Sequence, residues 1–117
     1  MPAELSNEYG KITISDELIA DIAGYAAGEN YGIVAMNRKT GGKNLLEIFN
    51  AEDTSRGVKV TAVDGNTYNI DIYVTLMYGV SFPAVAANTR ANVKYRVETL
   101  TGLKVQAVNI HVEGVRV

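Results

Sequence analysis

Between residues 58 and 76 the chain alternates apolar and polar positions, and no other run constrains the fold as tightly. Val58, Val60 and Ala62 alternate with Lys59 and Thr61, and after a short gap Tyr68, Ile70, Ile72, Val74 and Leu76 alternate again. A period of two puts every second side chain on one face, so both runs read as strands with one buried side. Asp64-Gly65 between them supplies the positive φ that a tight hairpin turn needs. A sheet with one apolar face requires a second layer, and the rest of the chain has to provide it.

Two segments carry the helical period. Ser15 stands as an N-cap before Asp16 and Glu17, whose charges suit the positive end of a helix dipole. Leu18, Ile19, Ile22, Ala23 and Ala26 fall on one side of a helical wheel, which predicts an amphipathic helix over 16–27 with Gly28 as its stop. Ser81 caps a second helix, and Pro83 is tolerated in its first turn because an N–H there has no helical partner. Val85, Thr89, Val93, Val97 and Leu100 form its expected buried stripe, and Gly102 ends it in the left-handed conformation.

The remaining elements are shorter. Ile12 and Ile14 alternate with Lys11 and Thr13, predicting a half-buried strand over 9–14, and residues 31–36 read as a short apolar strand. Residues 37–44 are a polar, glycine-containing loop, 44–50 a short helix with Leu45, Leu46 and Phe49 toward the core edge, and 51–57 a second loop. In the last strand the apolar set changes phase, from Leu103, Val105 and Ala107 to Val108, Ile110 and Val112; a bulge near Gln106-Ala107 reconciles the two. Residues 1–8 are expected to be a flexible lead-in, and 9–117 a single domain. The order β-α-β-(short α)-β-β-α-β predicts an α+β fold of two layers, a mostly antiparallel sheet with two long helices on one face. Three Tyr-Gly pairs, at 9–10, 31–32 and 78–79, mark element boundaries rather than a repeat.

Composition removes several functions. At 117 residues and a formal charge of −2, the chain has no global pull toward nucleic acid or anionic lipid. Without cysteine there is no disulfide, thiol catalysis or thiolate metal site. The polar start MPAELSNEYG lacks a basic n-region and an apolar h-region, and no apolar run is long enough to span a bilayer. A cytoplasmic protein is expected, with any membrane association made through a partner and no direct membrane insertion.

Chemistry-bearing residues are sparse. His111, the single histidine, points away from Ile110 and Val112, toward the polar face that Asp71, Tyr73 and Asn109 share. Such a group has the types for acid–base work or a partial metal site, but one imidazole and one carboxylate fall short of three-ligand zinc. Polar residues on a solvated sheet face account for it better, so no catalytic residue, metal or cofactor is expected. TGGKN lacks the Walker spacing and precedes only a short helix. Arg90, Lys94 and Arg96, with Arg38, Lys39 and Lys43 in the loop, are a candidate basic patch. No Gly-x-x-Gly loop of the KH kind accompanies them, and Glu98 four residues after Lys94 offsets part of the charge, so nucleic acid is not the expected partner. A different stripe on the long helix is less ordinary. Ala84, Asn88, Ala91 and Tyr95 lie nearly opposite the buried residues, and small residues ending in an aromatic make a smooth surface for a second subunit. The polar sheet face of Asp71, Tyr73, Asn109 and His111 is the second candidate surface for binding protein.

The wording of the chain adds to its physics. YGKITIS near the start, the Gly57-Val58-Lys59-Val60 strand, and the closing run YG…VE…TGL…VNIHV…GV resemble the alkaline shock protein family, over roughly Tyr9 to Val117. The resemblance rests on structural residues and carries no catalytic motif. It implies a non-enzymatic scaffold or adaptor in cell-envelope homeostasis or stress response in Gram-positive-type bacteria, self-assembling into a homo-oligomer. In that family some members are held near the membrane by a small membrane-anchored protein, and compact members are often encoded beside a fatty-acid kinase. An accessory role to such a lipid-metabolism enzyme is therefore the alternative expectation.

Overall fold

A computed structural model describes residues 3–36 and 57–117. The described elements run β1 (Ala3–Asn7), β2 (Gly10–Ile14), α1 (Asp16–Gly28), β3 (Ile33–Met36), β4 (Val58–Ala62), β5 (Thr67–Met77), α2 (Phe82–Thr101) and β6 (Lys104–Arg116). The expected loop 37–44 and short helix 44–50, and all but the last residue of the loop 51–57, lie outside the described residues.

The spine of the fold is β5. Along one edge β6 runs parallel to it, from Thr67↔Lys104 to Met77↔Arg116. Along the other edge β4 pairs antiparallel, from Ala62↔Tyr68 to Val58↔Ile72, and β3 takes over at Met36↔Val74 and Ile33↔Leu76. The hairpin read from the alternation is therefore β4–β5, and the sheet is mostly antiparallel with one parallel pairing. Tyr68 pairs with Val105 and Asn69 with Ala107, so Gln106 is an extra residue and the bulge falls where the phase change requires it. A second shift leaves Glu113 extra between Val74↔Val112 and Thr75↔Gly114.

The alternation is realised as burial. Tyr68, Ile70, Ile72, Val74 and Leu76 are buried beneath the helices, and Asn69, Asp71, Tyr73 and Thr75 face the other way, half-buried. Helix α1 covers the β3–β4 side and α2 the β6 side. The two helices pack against each other, and Ala20, Ala23, Ala26 and Ala27 of α1 are buried. Asn92 Nδ2 donates to the Ala26 carbonyl at 2.9 Å, and Arg96 pairs with Glu29 at 2.7 Å, closing the seam. Ser15 and Ser81 cap as expected, accepting from the Leu18 and Ala84 N–H groups. Gly102 takes the left-handed C-cap at φ 78°. Gly32 is constrained twice: its φ is +97°, and a Cβ there would stand 2.9 Å from Val85 Cγ2.

Several expectations are corrected. Residues 3–7, read as part of a flexible lead-in, form β1 and pair with β2 in a separate two-stranded sheet. Its root, Ala3 opposite Ile14, is buried, while Ile12 nearer the tip is 61% exposed, so the alternation of β2 is only half used. Leu18 is exposed, and α1 continues through Gly28 to a right-handed cap at Glu29. On α2 the buried stripe ends at Thr101 rather than Leu100, which is 66% exposed. Val85, Thr89, Val93, Val97 and Thr101 are each four apart, and each such step turns about 40° around the axis, so the contact drifts obliquely over the sheet. Leu100 steps back about 60° from Val97, out of the contact at that end. Thr101 is satisfied there by donating to the Val97 carbonyl. Glu98 does not offset Lys94; its Oε2 accepts from the Val105 N–H at 3.0 Å, tying α2 to the start of β6.

Candidate functional site

The parallel register of β5 and β6 brings together the four polar sheet residues singled out from the sequence. Asp71 lies opposite Asn109 and Tyr73 opposite His111. Asn109 Nδ2 donates to Asp71 Oδ1 at 3.1 Å, and His111 Nε2 stands 3.0 Å from the same oxygen. An ionised carboxylate only accepts, so Nε2 is the donor of this pair. Tyr73 stacks on the imidazole, with ring centroids 4.5 Å apart and planes 13° from parallel. The imidazole is thus held in orientation from one edge and one face.

Chemically this is an oriented imidazole of the kind a general base uses. Its setting is mixed: His111 and Asn109 are exposed, and Asp71 and Tyr73 are half-buried. Among the described residues, no three or more His, Asp or Glu side chains are grouped to hold a metal ion. One titratable group elsewhere is displaced. Burial under the helices pushes the Tyr68 phenol above its ordinary value, with the nearby Asp16 charge acting in the same direction.

The second candidate surface also stands where the helical period puts it. Ala84, Asn88, Ala91 and Tyr95 are all exposed on α2, with Ala91 at the border of the groove between α2 and β6. The basic patch is divided. Arg96 is engaged by Glu29, Arg90 and Lys94 remain together on one flank of α2, and Arg38, Lys39 and Lys43 lie outside the described residues. Two features escaped sequence reasoning. One is the β1–β2 hairpin, whose tip carries Tyr9 at 89% exposure; the alternation Ala3, Leu5 before the turn was the available signal. The other is a groove between α2 and β6, for which Ala87 and Ala91 flanking Arg90 and Lys94 were a trace.

Among the described residues no helix is long and apolar enough to cross a membrane. Residues 4–117 match the model of the alkaline shock protein 23 family, described as having a cell envelope-related function. The chain is 47% identical over 118 residues to the uncharacterized protein YloU of Bacillus subtilis, covering 100% of this chain and 98% of that one. It is 37% identical over 109 residues to the uncharacterized protein YqhY of the same organism, covering 92% and 78%. Against the uncharacterized protein Spy1614 of Streptococcus pyogenes it is 31% identical over 118 residues, covering 100% and 97%. No solved structure matches.

Proposed function

The chain belongs to the alkaline shock protein 23 family, of cell envelope-related function, and from that premise we propose that it is a non-enzymatic scaffold or adaptor. It acts by self-association and by binding protein partners, one of which holds it near the membrane. The observation that carries this reading is the outward face of α2. Ala84, Asn88 and Ala91 with Tyr95 leave a smooth, exposed strip along a helix whose opposite side is fully used in the core. Two such strips can pack about a two-fold axis with close backbone approach, Tyr95 supplying the large contact that interfaces concentrate. The Asp71–His111 pair, with its imidazole exposed and held by Asp71 and Tyr73, serves as a rigid polar surface.

The test is Ala91→Glu. The site is exposed, so the fold and its circular dichroism are expected to be unchanged, while a carboxylate in the strip lowers the mass measured by light scattering to that of a single chain. A well-folded variant of unchanged mass removes the helix strip as the assembly surface.

A further inference from the structure

Two unused features of the fold lie side by side. The first is the outer edge of β6. This strand of 13 residues pairs with β5 along one side, and among the described residues no strand pairs with the other. Long open edges are commonly shortened, broken by proline or covered, because their free N–H and C=O groups recruit further strands. Here the edge contains no proline, and Ala107–Val112 between the two bulges is uninterrupted. The second feature is the groove of about 410 Å³ between this strand and α2. Ala87, Ala91, Ala107 and Val108 make its apolar lining, and Arg90 and Lys94 stand beside them.

We propose that this groove receives an extended, acidic segment of a partner protein, added as a further strand to the edge of β6. Strand addition fits an edge beside a helix: main-chain hydrogen bonds supply affinity, and alternate side chains of the incoming segment enter the groove. Charge decides the chemistry of the occupant. Among the described residues Arg90 and Lys94 make no ion pair, and Glu98, the carboxylate of the same helix, accepts from the Val105 N–H. That bond shows the mode in miniature, a carboxylate from the α2 side accepting from a β6 backbone donor. Charge also argues against a second copy joined edge to edge. A two-fold seam at the groove would gather Arg90 and Lys94 from both chains, and like charges brought opposite one another destabilise. The proposal deepens the scaffold reading by naming the chemistry of one partner, and it rests on that reading.

The experiment uses the full chain and a labelled peptide of alternating valine and glutamate, followed by fluorescence anisotropy and by amide shifts. Binding is expected, with shifts concentrated in Ala107–Val112 and residues 87–94. Arg90→Glu with Lys94→Glu should weaken it at least tenfold, and Arg90→Gln with Lys94→Gln by less. The same peptide with proline at its centre, or with lysine for glutamate, should not bind. The mass of the unliganded protein, measured in parallel, is expected to be unaffected by the charge reversal. Because Ala91 borders both surfaces, Tyr95→Ala, outside the groove lining, should lower the mass and leave peptide binding unchanged, so failure of the helix strip and failure of the groove show separately. Absence of binding, or binding indifferent to charge reversal, overturns the proposal. So does a mass that falls to a single chain on charge reversal, which would give the groove to a second copy.

Discussion

Truncating Val97 to alanine tests the packing of α2 on the sheet. Val97 is 1% exposed and sits in the four-residue ladder between Val93 and Thr101. The substitution removes two methyl-sized groups, worth about 0.8 kcal/mol each in transfer free energy, or about 1.6 kcal/mol together. If the neighbours do not relax, a void of roughly 50 Å³ adds up to about 1.2 kcal/mol at ~24 cal/mol per Å³. The expected loss is therefore about 1.5–3 kcal/mol. Urea unfolding followed by circular dichroism at 222 nm should show a lower midpoint with an unchanged slope, since the surface exposed on unfolding is nearly the same. Leu100→Ala is the paired control. Its side chain lies outside the contact, so a shift within about 0.5 kcal/mol is expected despite the larger truncation. Equal losses at the two positions, or a larger one at Leu100, would refute the oblique stripe.

Three other perturbations follow from the same geometry. Gly32→Ala should cost about 2 kcal/mol or more, from the left-handed backbone and the contact with Val85 Cγ2, read as a drop in thermal midpoint. The Tyr68 phenol titrates higher in the fold than in the unfolded chain, so its contribution is intact below about pH 10 and falls as pH rises beyond that. Tyr68→Phe should flatten that alkaline loss of stability in unfolding curves at pH 9 to 11 (expressed relative to each protein at neutral pH). Zinc added in a calorimetric titration should give no one-site isotherm; one that vanishes in His111→Ala would restore a metal site.

Periodicity carried most of this fold. The two-residue alternation of β5 identified its buried face residue by residue, and the phase change after Val105 placed the bulge, because a strand has only two faces to choose between. Helix α2 was legible to within one turn at its end: Leu100 and Thr101 both fit a helical stripe, and hydropathy favours leucine. The oblique crossing favours threonine, and crossing angle is a tertiary property. The β1–β2 hairpin was missed because only its root is buried, so polar residues dominate its composition. Among the candidate sites, the cluster of Asp71, Tyr73, Asn109 and His111 emerged from strand parity alone. That Asp71 would accept from two donors at once, and that Tyr73 would stack on His111, depended on the parallel register of β5 and β6. Glu98 was assigned to Lys94 by helical spacing; the backbone donor at Val105 is out of sight until the chain folds back.

The claim that this protein works by binding rather than by catalysis is tested most directly by survival of envelope stress in the native host. A strain lacking the protein would be supplied with Asp71→Asn and His111→Gln together, a pair that keeps size and polarity on the sheet face while removing proton transfer. The account predicts survival equal to that given by the unaltered protein. A double variant that is folded, abundant and yet no better than the deletion would contradict it.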